Sequence, residues 1–262
     1  MPIQTIINGF FFEIIFWIKI LYTFTDHFNL NGDHFLNKEQ NTVIAIDGPA
    51  ASGKSSLGIL LAKKLGFMFL DTGVMYRAVT WAVFREKIDV KNEEEVSILS
   101  ESIQIDFLSS SKTDGRENDI YVNDVDVTRK LRGPMINDHV SIVASYKRVR
   151  ESMTRLQQEI GAEKNIVMVG RDIGTVVMPN ADIKIFLLAS VEERAKRRFL
   201  QEGKKPNRLS LEQIKESIRS RDTIDSNRKY APLKPAKDAI LINTDRKSLE
   251  EVFQEVWKKI TL

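Results

Sequence analysis

The sequence contains no cysteine among its 262 residues. The chain can therefore form no disulfide bond, no thiolate nucleophile and no cysteine-based zinc site. This composition is compatible with a reducing compartment, and we expect the protein to be cytoplasmic. Histidine is also scarce: His27, His34 and His139 lack the spacing of metal ligands, so we interpret them as structural or exposed.

The chain also has little excess of charge of either sign. Its 39 lysines and arginines exceed its 36 aspartates and glutamates by only three. An excess this small does not indicate strong binding to nucleic acid, and we expect none. With 13 glycines, 7 prolines and 42% hydrophobic residues, the composition excludes collagen-like and disordered chains. A chain of this length can bury one large core together with a small inserted domain.

Long hydrophobic runs are limited to one stretch near the N-terminus. Residues 6–24 are rich in Phe, Ile and Leu, but Glu13 and Lys19 interrupt them. Each charge near the middle of a bilayer costs about 2.5–3.5 kcal/mol, so a spanning helix fits poorly. A signal peptide also fits poorly, because no basic residue precedes the stretch and no small-residue cleavage site follows it. Three interpretations of residues 1–40 stay open: a weak anchor, an unusual extension, or translated upstream sequence. We expect no membrane association.

From residue 41 onwards, short apolar runs alternate with helical patterns. The apolar runs predict buried strands at residues 42–47, 67–70, 166–169, 182–188 and 240–242. Helical spacing predicts helices at residues 54–65, 75–86, 137–160, 191–203 and 211–221, and a final helix opened by a Ser248–Glu251 capping box. This alternation predicts an α/β fold with a doubly wound parallel sheet.

Residues 103–127 do not follow that alternation. Ile103, Ile105 and Phe107 alternate with polar residues, and two short apolar runs flank the dipeptide Asn123-Asp124. A two-residue link of this type between alternating runs is typical of a β-hairpin. We therefore expect a small antiparallel β insert within the α/β fold.

A phosphate-binding motif lies between the first predicted strand and the first predicted helix. GPAASGKS (48–55) fits G-x-x-x-x-G-K-[ST], in which main-chain N–H groups and a helix N-terminus bind phosphate. Lys54 supplies a charge for the β- and γ-phosphates, and the Ser55 hydroxyl suits Mg²⁺. The motif predicts a nucleoside triphosphate without specifying the acceptor. The predicted ATP-binding residues are Gly48, Pro49, Ala50, Ala51, Ser52, Gly53, Lys54, Ser55 and Ser56.

Three later segments carry hydroxyl, carboxylate and guanidinium groups. DTGVMYR (71–77) follows the second predicted strand, GRDIGTVV (170–177) follows the third, and RDTIDSNR (221–228) follows a charged helix. Thr72 and Arg77 are placed to grip a second phosphate. Because loops beyond the carboxyl ends of parallel strands share one crevice, we expect the first two segments to meet at the phosphate-binding motif.

Five motifs together resemble those of bacterial-type cytidylate kinases. In chain order they are GPAASGKSS (48–56), DTGVMYRA (71–78), YKRVRE (146–151), GRDIGTVV (170–177) and RDTIDSNRKYAPLKPA (221–236). The resemblance covers residues 42–262. It implies a P-loop nucleoside monophosphate kinase that uses ATP and Mg²⁺ to phosphorylate CMP and dCMP by in-line transfer. It also implies an acceptor-binding insert at about residues 72–160 and a short lid at about residues 194–210, within a kinase domain at residues 41–262.

The resemblance implies roles for individual residues of the acceptor site. The acceptor phosphate would be held by Thr72, Arg77, Arg171 and Arg228. The cytosine ring would be read by Ser141, Arg150 and Asp172. The ribose hydroxyls would be met by Arg221 and Asp225. The implied catalytic residues are Lys54, Arg171 and Arg228.

Two parts of this assignment leave alternatives open. Mg²⁺ needs a carboxylate besides the Ser55 hydroxyl, and Asp47 and Asp172 are the candidates. In the lid, Arg194 and Arg197 either reach ATP or belong to a solvated basic helix face.

Structural roles are also open for some of the acceptor residues. Asp71 is placed to cap the helix that follows it, and Asp225 and Arg228 have the spacing of an intrahelical ion pair.

The acceptor and the reaction class have alternatives as well. One is a P-loop kinase for UMP or for a non-nucleotide acceptor. The other is a regulatory NTP-binding switch or a nucleic-acid-associated NTPase, which predicts slow hydrolysis and no phosphorylated small molecule. The arginine-rich acceptor segments argue against a switch, because a switch has no use for a second phosphate pocket. We expect nucleotides as the partners and a monomeric chain.

Overall fold

The computed structural model describes residues 41–112, 116, 118–162, 165–203 and 209–261. The three interpretations of residues 1–40 lie outside the described residues, as do His27 and His34. Residues 204–208, at the far end of the predicted lid, lie outside them too.

The described residues form eight strands, eight α-helices and one π-helical turn. The strands are β1 (Val43–Asp47), β2 (Met68–Asp71), β3 (Ile105–Ser109), β4 (Asn118–Val122), β5 (Val125–Asp126), β6 (Ile166–Gly170), β7 (Ile183–Leu188) and β8 (Ile240–Asn243). The α-helices are α1 (Lys54–Leu65), α2 (Gly73–Arg85), α3 (Glu93–Ser102), α4 (Pro134–Val143), α5 (Lys147–Ala162), α6 (Val191–Glu202), α7 (Leu211–Asn227) and α8 (Leu249–Ile260). The π-helical turn is Ile173–Val177.

The central sheet confirms the predicted parallel α/β architecture. Its five strands are all parallel and lie in the order β2-β6-β1-β7-β8. Helices α1 and α8 pack on one face, around apolar residues such as Ile46, Leu57 and Val256. The π-helical turn and the end of α5 cover the other face of β1 and β6. The order places β1 between β6 and β7, so the carboxyl ends of β1, β2 and β6 lie side by side.

The predicted antiparallel insert is also confirmed. Strands β3, β4 and β5 form a three-stranded antiparallel sheet, with Ile105 opposite Val122. Asn123 and Asp124 both have positive φ angles, 45° and 64°, as a tight two-residue turn requires. The preceding helix α3 was not predicted, although Asn92 caps it by accepting a hydrogen bond from the Glu95 amide.

The single helix predicted for residues 137–160 is wrong, because the chain bends between α4 and α5. The Ser145 hydroxyl donates to the Ile142 carbonyl at 2.7 Å, and the Tyr146 hydroxyl donates to the Val90 carbonyl at 2.7 Å. The Ser145 amide also donates three residues back, to the Ile142 carbonyl at 2.9 Å, instead of four residues back as in an α-helix. The bend leaves the Ala144 carbonyl free to accept a hydrogen bond from Arg150 at 3.1 Å.

The helix predicted for residues 211–221 is too short. Helix α7 continues to Asn227, so the segment 221–228 forms its last turns rather than a loop after it. Arg221 and Asp225 therefore lie one turn apart on the same helix. The π-helical turn after β6 has no counterpart in the sequence-based prediction.

None of the helices in the described part of the chain combines the length and apolarity that crossing a bilayer needs.

Candidate functional site

A cleft of about 650 Å³ opens at the carboxyl ends of β1, β2 and β6. Parallel sheets commonly place their ligand sites at this edge. Of the predicted site residues, all but Gly48 and Pro49 line the cleft. They are Ala50, Ala51, Ser52, Gly53, Lys54, Ser55, Ser56, Thr72, Arg77, Ser141, Arg150, Arg171, Asp172, Arg221, Asp225 and Arg228.

The phosphate-binding motif forms a loop whose backbone depends on its two glycines. Gly48 has a φ of 149°, and a Cβ atom there would lie 2.6 Å from the Leu187 carbonyl oxygen. Gly53 has a φ of 97° and precedes α1, where no side chain caps the first amides. The helix N-terminus therefore presents unclaimed N–H groups and a partial positive charge to the cleft.

Lys54 begins α1 and is buried at the base of this loop. Its ammonium group donates to the Pro49 carbonyl at 2.6 Å. Burial lowers the pKa of Lys54 well below its usual value, and the Arg171 guanidinium acts in the same direction. A buried ammonium in this position is stabilised by an incoming anion.

Asp71 emerges as a site residue beside the P-loop hydroxyl. The Ser55 hydroxyl donates to Asp71 Oδ2 at 2.8 Å, and Asp71 Oδ1 accepts from the Gly73 amide at 3.0 Å. Asp71 thus caps α2 with one oxygen and faces the phosphate loop with the other. Its position at the end of a predicted strand, next to Thr72, was the available sequence signal.

The two carboxylates proposed from sequence for Mg²⁺ are engaged elsewhere. Both oxygens of Asp47 accept main-chain hydrogen bonds, from Ile173 and Gly174, each at 2.8 Å. Asp172 forms ion pairs with Arg150 and with Arg228. Within the described residues, no cluster of three or more histidines and carboxylates could hold a metal alone. Ser55 and Asp71 nevertheless offer the oxygen pair that Mg²⁺ bound to nucleotide phosphates uses.

On the acceptor side, Thr72 and Arg77 lie at the start of α2. The Thr72 hydroxyl donates its hydrogen to the Val169 carbonyl at 3.0 Å, so it must rotate before it can donate to a phosphate. The Arg77 guanidinium donates to the carbonyl of Leu131 and to the side chain of Asn137. Burial lowers the pKa of Arg77 to about 10. It remains protonated at neutral pH and, among the described residues, forms no hydrogen bond with a carboxylate.

Two buried carboxylates link the other predicted arginines. Asp172 accepts from Arg150, and from Arg228 at 3.2 Å, while Asp225 accepts from Arg171 at 2.8 Å. Although burial opposes the shift, the Arg171 guanidinium lowers the pKa of Asp225. The two carboxylates and three arginines therefore form two hydrogen-bonded ion-pair clusters at the cleft.

The intrahelical pair between Asp225 and Arg228 suggested by their spacing is not the arrangement found. Asp225 pairs with Arg171, which follows β6. Arg228 is the C-cap residue of α7, and its side chain pairs with Asp172. The two residues of one segment therefore bind two different partners across the cleft.

Arg221 and Ser141 complete the acceptor side. Arg221 Nε is buried and has no hydrogen-bond partner among the described residues. Burial, with the guanidinium groups of Arg171 and Arg77, lowers the pKa of Arg221 to about 10. Several cations so close together repel one another, and an anion in the cleft relieves that repulsion. Ser141 is buried on α4 and lines the same cleft.

The two arginines predicted for the lid differ. Arg194 is only 3% exposed and donates two hydrogen bonds to Asp222, at 3.0 and 2.6 Å. It fastens α6 to α7, so it does not belong to a solvated helix face, and it does not line the cleft. The other alternative, a contact with ATP, stays a prediction. Arg197 does line the cleft and donates to the Thr244 hydroxyl at 3.0 Å.

Solved structures of small-molecule kinases resemble this chain weakly. A gluconokinase from Sinorhizobium meliloti 1021 is 14% identical with a TM-score of 0.44, covering 84% of this chain and 91% of that one. Shikimate kinase from Bacteroides thetaiotaomicron is 14% identical with a TM-score of 0.42, covering 84% and 99%.

The comparison of sequences is much closer. Cytidylate kinases from Bacillus cytotoxicus and Bacillus thuringiensis are each 46% identical to the chain over 213 residues, covering 81% of this chain and 93% of the relative. The cytidylate kinase family as a whole matches residues 44–262, which include every residue of the cleft. The chain belongs to the cytidylate kinase family.

Proposed function

We propose that the protein transfers the γ-phosphoryl group of ATP in line to the phosphate of CMP and of dCMP, with Mg²⁺ as the cofactor. As a member of its family, the chain is a nucleoside monophosphate kinase that phosphorylates CMP with ATP as the donor. The proposal adds the metal, the second acceptor and the role of each residue. One observation carries it: a main-chain phosphate loop and a cluster of guanidinium groups face each other across a single cleft.

On the donor side, residues 48–56 hold the ATP phosphates. The loop amides and the N-terminus of α1 bind the phosphate oxygens, and the Lys54 ammonium neutralises negative charge on the β- and γ-phosphates. The hydrogen bond from Lys54 to Pro49 shows that its ammonium is folded back on the loop, from where a short movement reaches a phosphate.

We assign Mg²⁺ to the Ser55 hydroxyl and the Asp71 carboxylate, in place of Asp47 or Asp172. Mg²⁺ keeps several waters and uses one or two protein oxygens together with substrate phosphates, so two ligands suffice. When bound, the ion neutralises charge on the phosphates. Asp71, held by the Gly73 amide, keeps the hydroxyl of Ser55 oriented toward it.

On the acceptor side, Arg77, Arg171 and Arg228 hold the phosphate together with Thr72. Asp172, with Arg150 and Ser141, reads cytosine, whose N4 amino group is a donor suited to a carboxylate. A keto oxygen at the same place meets that carboxylate unpaired, which costs about 1–3 kcal/mol. Arg221 and Asp225 meet the ribose.

The chemistry needs no general base, because an acceptor phosphate is already a nucleophile. Phosphoryl transfer depends on alignment and on charge neutralisation, which Lys54 and the arginines supply. Water must be excluded, so we propose that the insert, at about residues 72–160, and the lid, at about residues 194–210, close over both nucleotides. We also propose that the catalytic unit is a monomer.

An acceptor screen on the full-length chain tests this function. The protein is incubated with γ-labelled ATP, Mg²⁺ and, separately, CMP, dCMP, UMP, AMP and GMP, and labelled diphosphates are separated. CMP and dCMP are expected to be the preferred acceptors. Preference for UMP, a purine nucleotide or a non-nucleotide would point to the other-acceptor kinase. Slow release of labelled phosphate without any labelled diphosphate would point to the NTP switch.

A further inference from the structure

Asp172 is the N-cap residue of the π-helical turn Ile173–Val177, but its side chain forms no capping hydrogen bond with the turn. An aspartate at such a position normally accepts a hydrogen bond from an amide of its own turn. Here its carboxylate instead faces the cleft, where it pairs with Arg150 and Arg228. The first amides of the turn therefore need an acceptor from elsewhere in the chain.

Asp47 supplies that acceptor from the neighbouring strand. Its Oδ1 accepts from the Ile173 amide and its Oδ2 from the Gly174 amide, each at 2.8 Å, across 126 and 127 residues of sequence. Asp47 is the last residue of β1 and lies opposite Gly170 in the parallel ladder. Strand β1, which leads into the phosphate loop, thus caps the π-helical turn that follows β6.

The surroundings of Asp47 make this cap costly. Its side chain is buried, at 4% exposure, and no cation in the described part of the chain is hydrogen-bonded to it: Lys54 donates to Pro49 and Ser52 instead. Burial raises the pKa of Asp47 to about 6, with Asp172 acting in the same direction and the two amides and Lys54 opposing. A buried carboxylate of this kind persists where its hydrogen bonds fix the local structure.

We propose that Asp47 is a positioning residue for recognition of the acceptor base. By capping the turn from β1, it leaves the Asp172 carboxylate free to face the cleft. Without it, the Asp172 side chain is the nearest alternative cap and turns away from Arg150 and Arg228. This inference rests on the proposed role of Asp172 in reading cytosine.

The test is Asp47→Asn in the full-length chain. An asparagine offers one acceptor oxygen, so one of the two amides faces an NH₂ group and loses its bond. We expect the KM for CMP to rise about tenfold or more, and the preference for CMP over UMP to fall, while the KM for ATP changes less than about twofold. Amide hydrogen exchange at Ile173 and Gly174, measured by NMR, should accelerate by a similar factor.

Asp182→Asn is the matched control. The Asp182 carboxylate makes the same kind of bond at the other end of β1, where it accepts from the Val43 amide at 2.8 Å. Its loss should leave the CMP preference and both KM values unchanged. Should Asp47→Asn not fold, Asp47→Ser, which keeps one acceptor in a smaller side chain, takes its place in the same measurements.

Asp172→Asn, measured in parallel, separates this proposal from the proposed function. If Asp172→Asn lowers the CMP preference and Asp47→Asn does not, the positioning role is overturned and base reading by Asp172 stands. If Asp172→Asn leaves the preference intact, base reading by Asp172 fails and the role of Asp47 fails with it. Equal increases in both KM values for Asp47→Asn would show that Asp47 supports the fold alone. The double variant is expected to resemble Asp172→Asn.

Discussion

The two halves of the cleft are built in opposite ways. The proposed donor half is one run of nine residues, 48–56, of which residues 50–56 line the cleft, and its proposed binding groups are mostly main-chain amides. The acceptor half is made of side chains from α2, α4, α5, α7 and the turn after β6, which lie up to 156 positions apart, from Thr72 to Arg228. A phosphate can thus be bound by local backbone geometry, whereas selecting an acceptor requires groups gathered from across the fold.

The halves also differ in how their charges are balanced without nucleotide. On the donor side Lys54 is hydrogen-bonded to a carbonyl and a hydroxyl rather than to a carboxylate. On the acceptor side Asp172 and Asp225 already pair with three arginines, so in the proposed complex the base and the ribose would bind to carboxylates that also accept hydrogen bonds from arginines. Such pairing fixes geometry at some expense of affinity. Of the three arginines proposed to hold the acceptor phosphate, it leaves Arg77 as the one without a hydrogen bond to a carboxylate among the described residues.

The comparison predicts that the largest loss of activity from a single substitution occurs in the donor half. Lys54→Ala removes the one side-chain cation that the phosphate loop supplies, and we expect kcat to fall about 10³-fold. Steady-state assays with saturating CMP measure this.

Lys63→Ala is the control for that loss, because Lys63 is exposed in the last turn of the same helix. Near-normal CMP phosphorylation by Lys54→Ala would show that the assignment of the loop is wrong.

A substitution in the acceptor half should cause a smaller loss of activity, and one that affects CMP but not ATP. Arg77→Met removes a half-buried cation that has no hydrogen bond to a carboxylate among the described residues, and we expect kcat/KM for CMP to fall about 10²-fold with little change in ATP affinity. Initial rates at varied CMP and a fluorescent ATP analogue separate the two effects. Arg85→Met, at the exposed end of the same helix, should behave like the unmodified protein. An equal loss of ATP affinity would mean that the two halves are not distinct.

The smallest expected effect lies at the junction of the halves. Asp71→Asn weakens the oxygen pair assigned to Mg²⁺, so we expect about a tenfold increase in the Mg²⁺ concentration needed for half-maximal rate. Equilibrium dialysis of Mg²⁺ with the non-hydrolysable ATP complex checks the binding directly. Asp106→Asn, on strand β3 of the insert, is the comparison variant. An unchanged Mg²⁺ requirement would show that Asp71 is not a ligand of the metal and that another carboxylate must be assigned.

Much of the fold was readable because its signals are local. The apolar runs of β1, β6 and β7 are flanked by turn residues, and α1 begins and ends where Lys54 and Gly66 indicated. The bend at Ser145 was not readable, because the Tyr146 hydroxyl is held there by donating to the carbonyl of Val90, which lies far away in the sequence. The extension of α7 to Asn227 escaped prediction for a similar reason: its polar last turns are stabilised by contacts across the cleft.

The sequence by itself determined the phosphate loop, the parallel sheet and the family, since each depends on residues close together along the chain or on motifs in a fixed order. Only the tertiary structure decided which charges meet. It paired Asp225 with Arg171, placed Asp71 on Ser55 and turned Asp47 toward the amides beyond Asp172. A side chain's partner depends on which strands lie next to each other, and strand order is set by packing of the whole core.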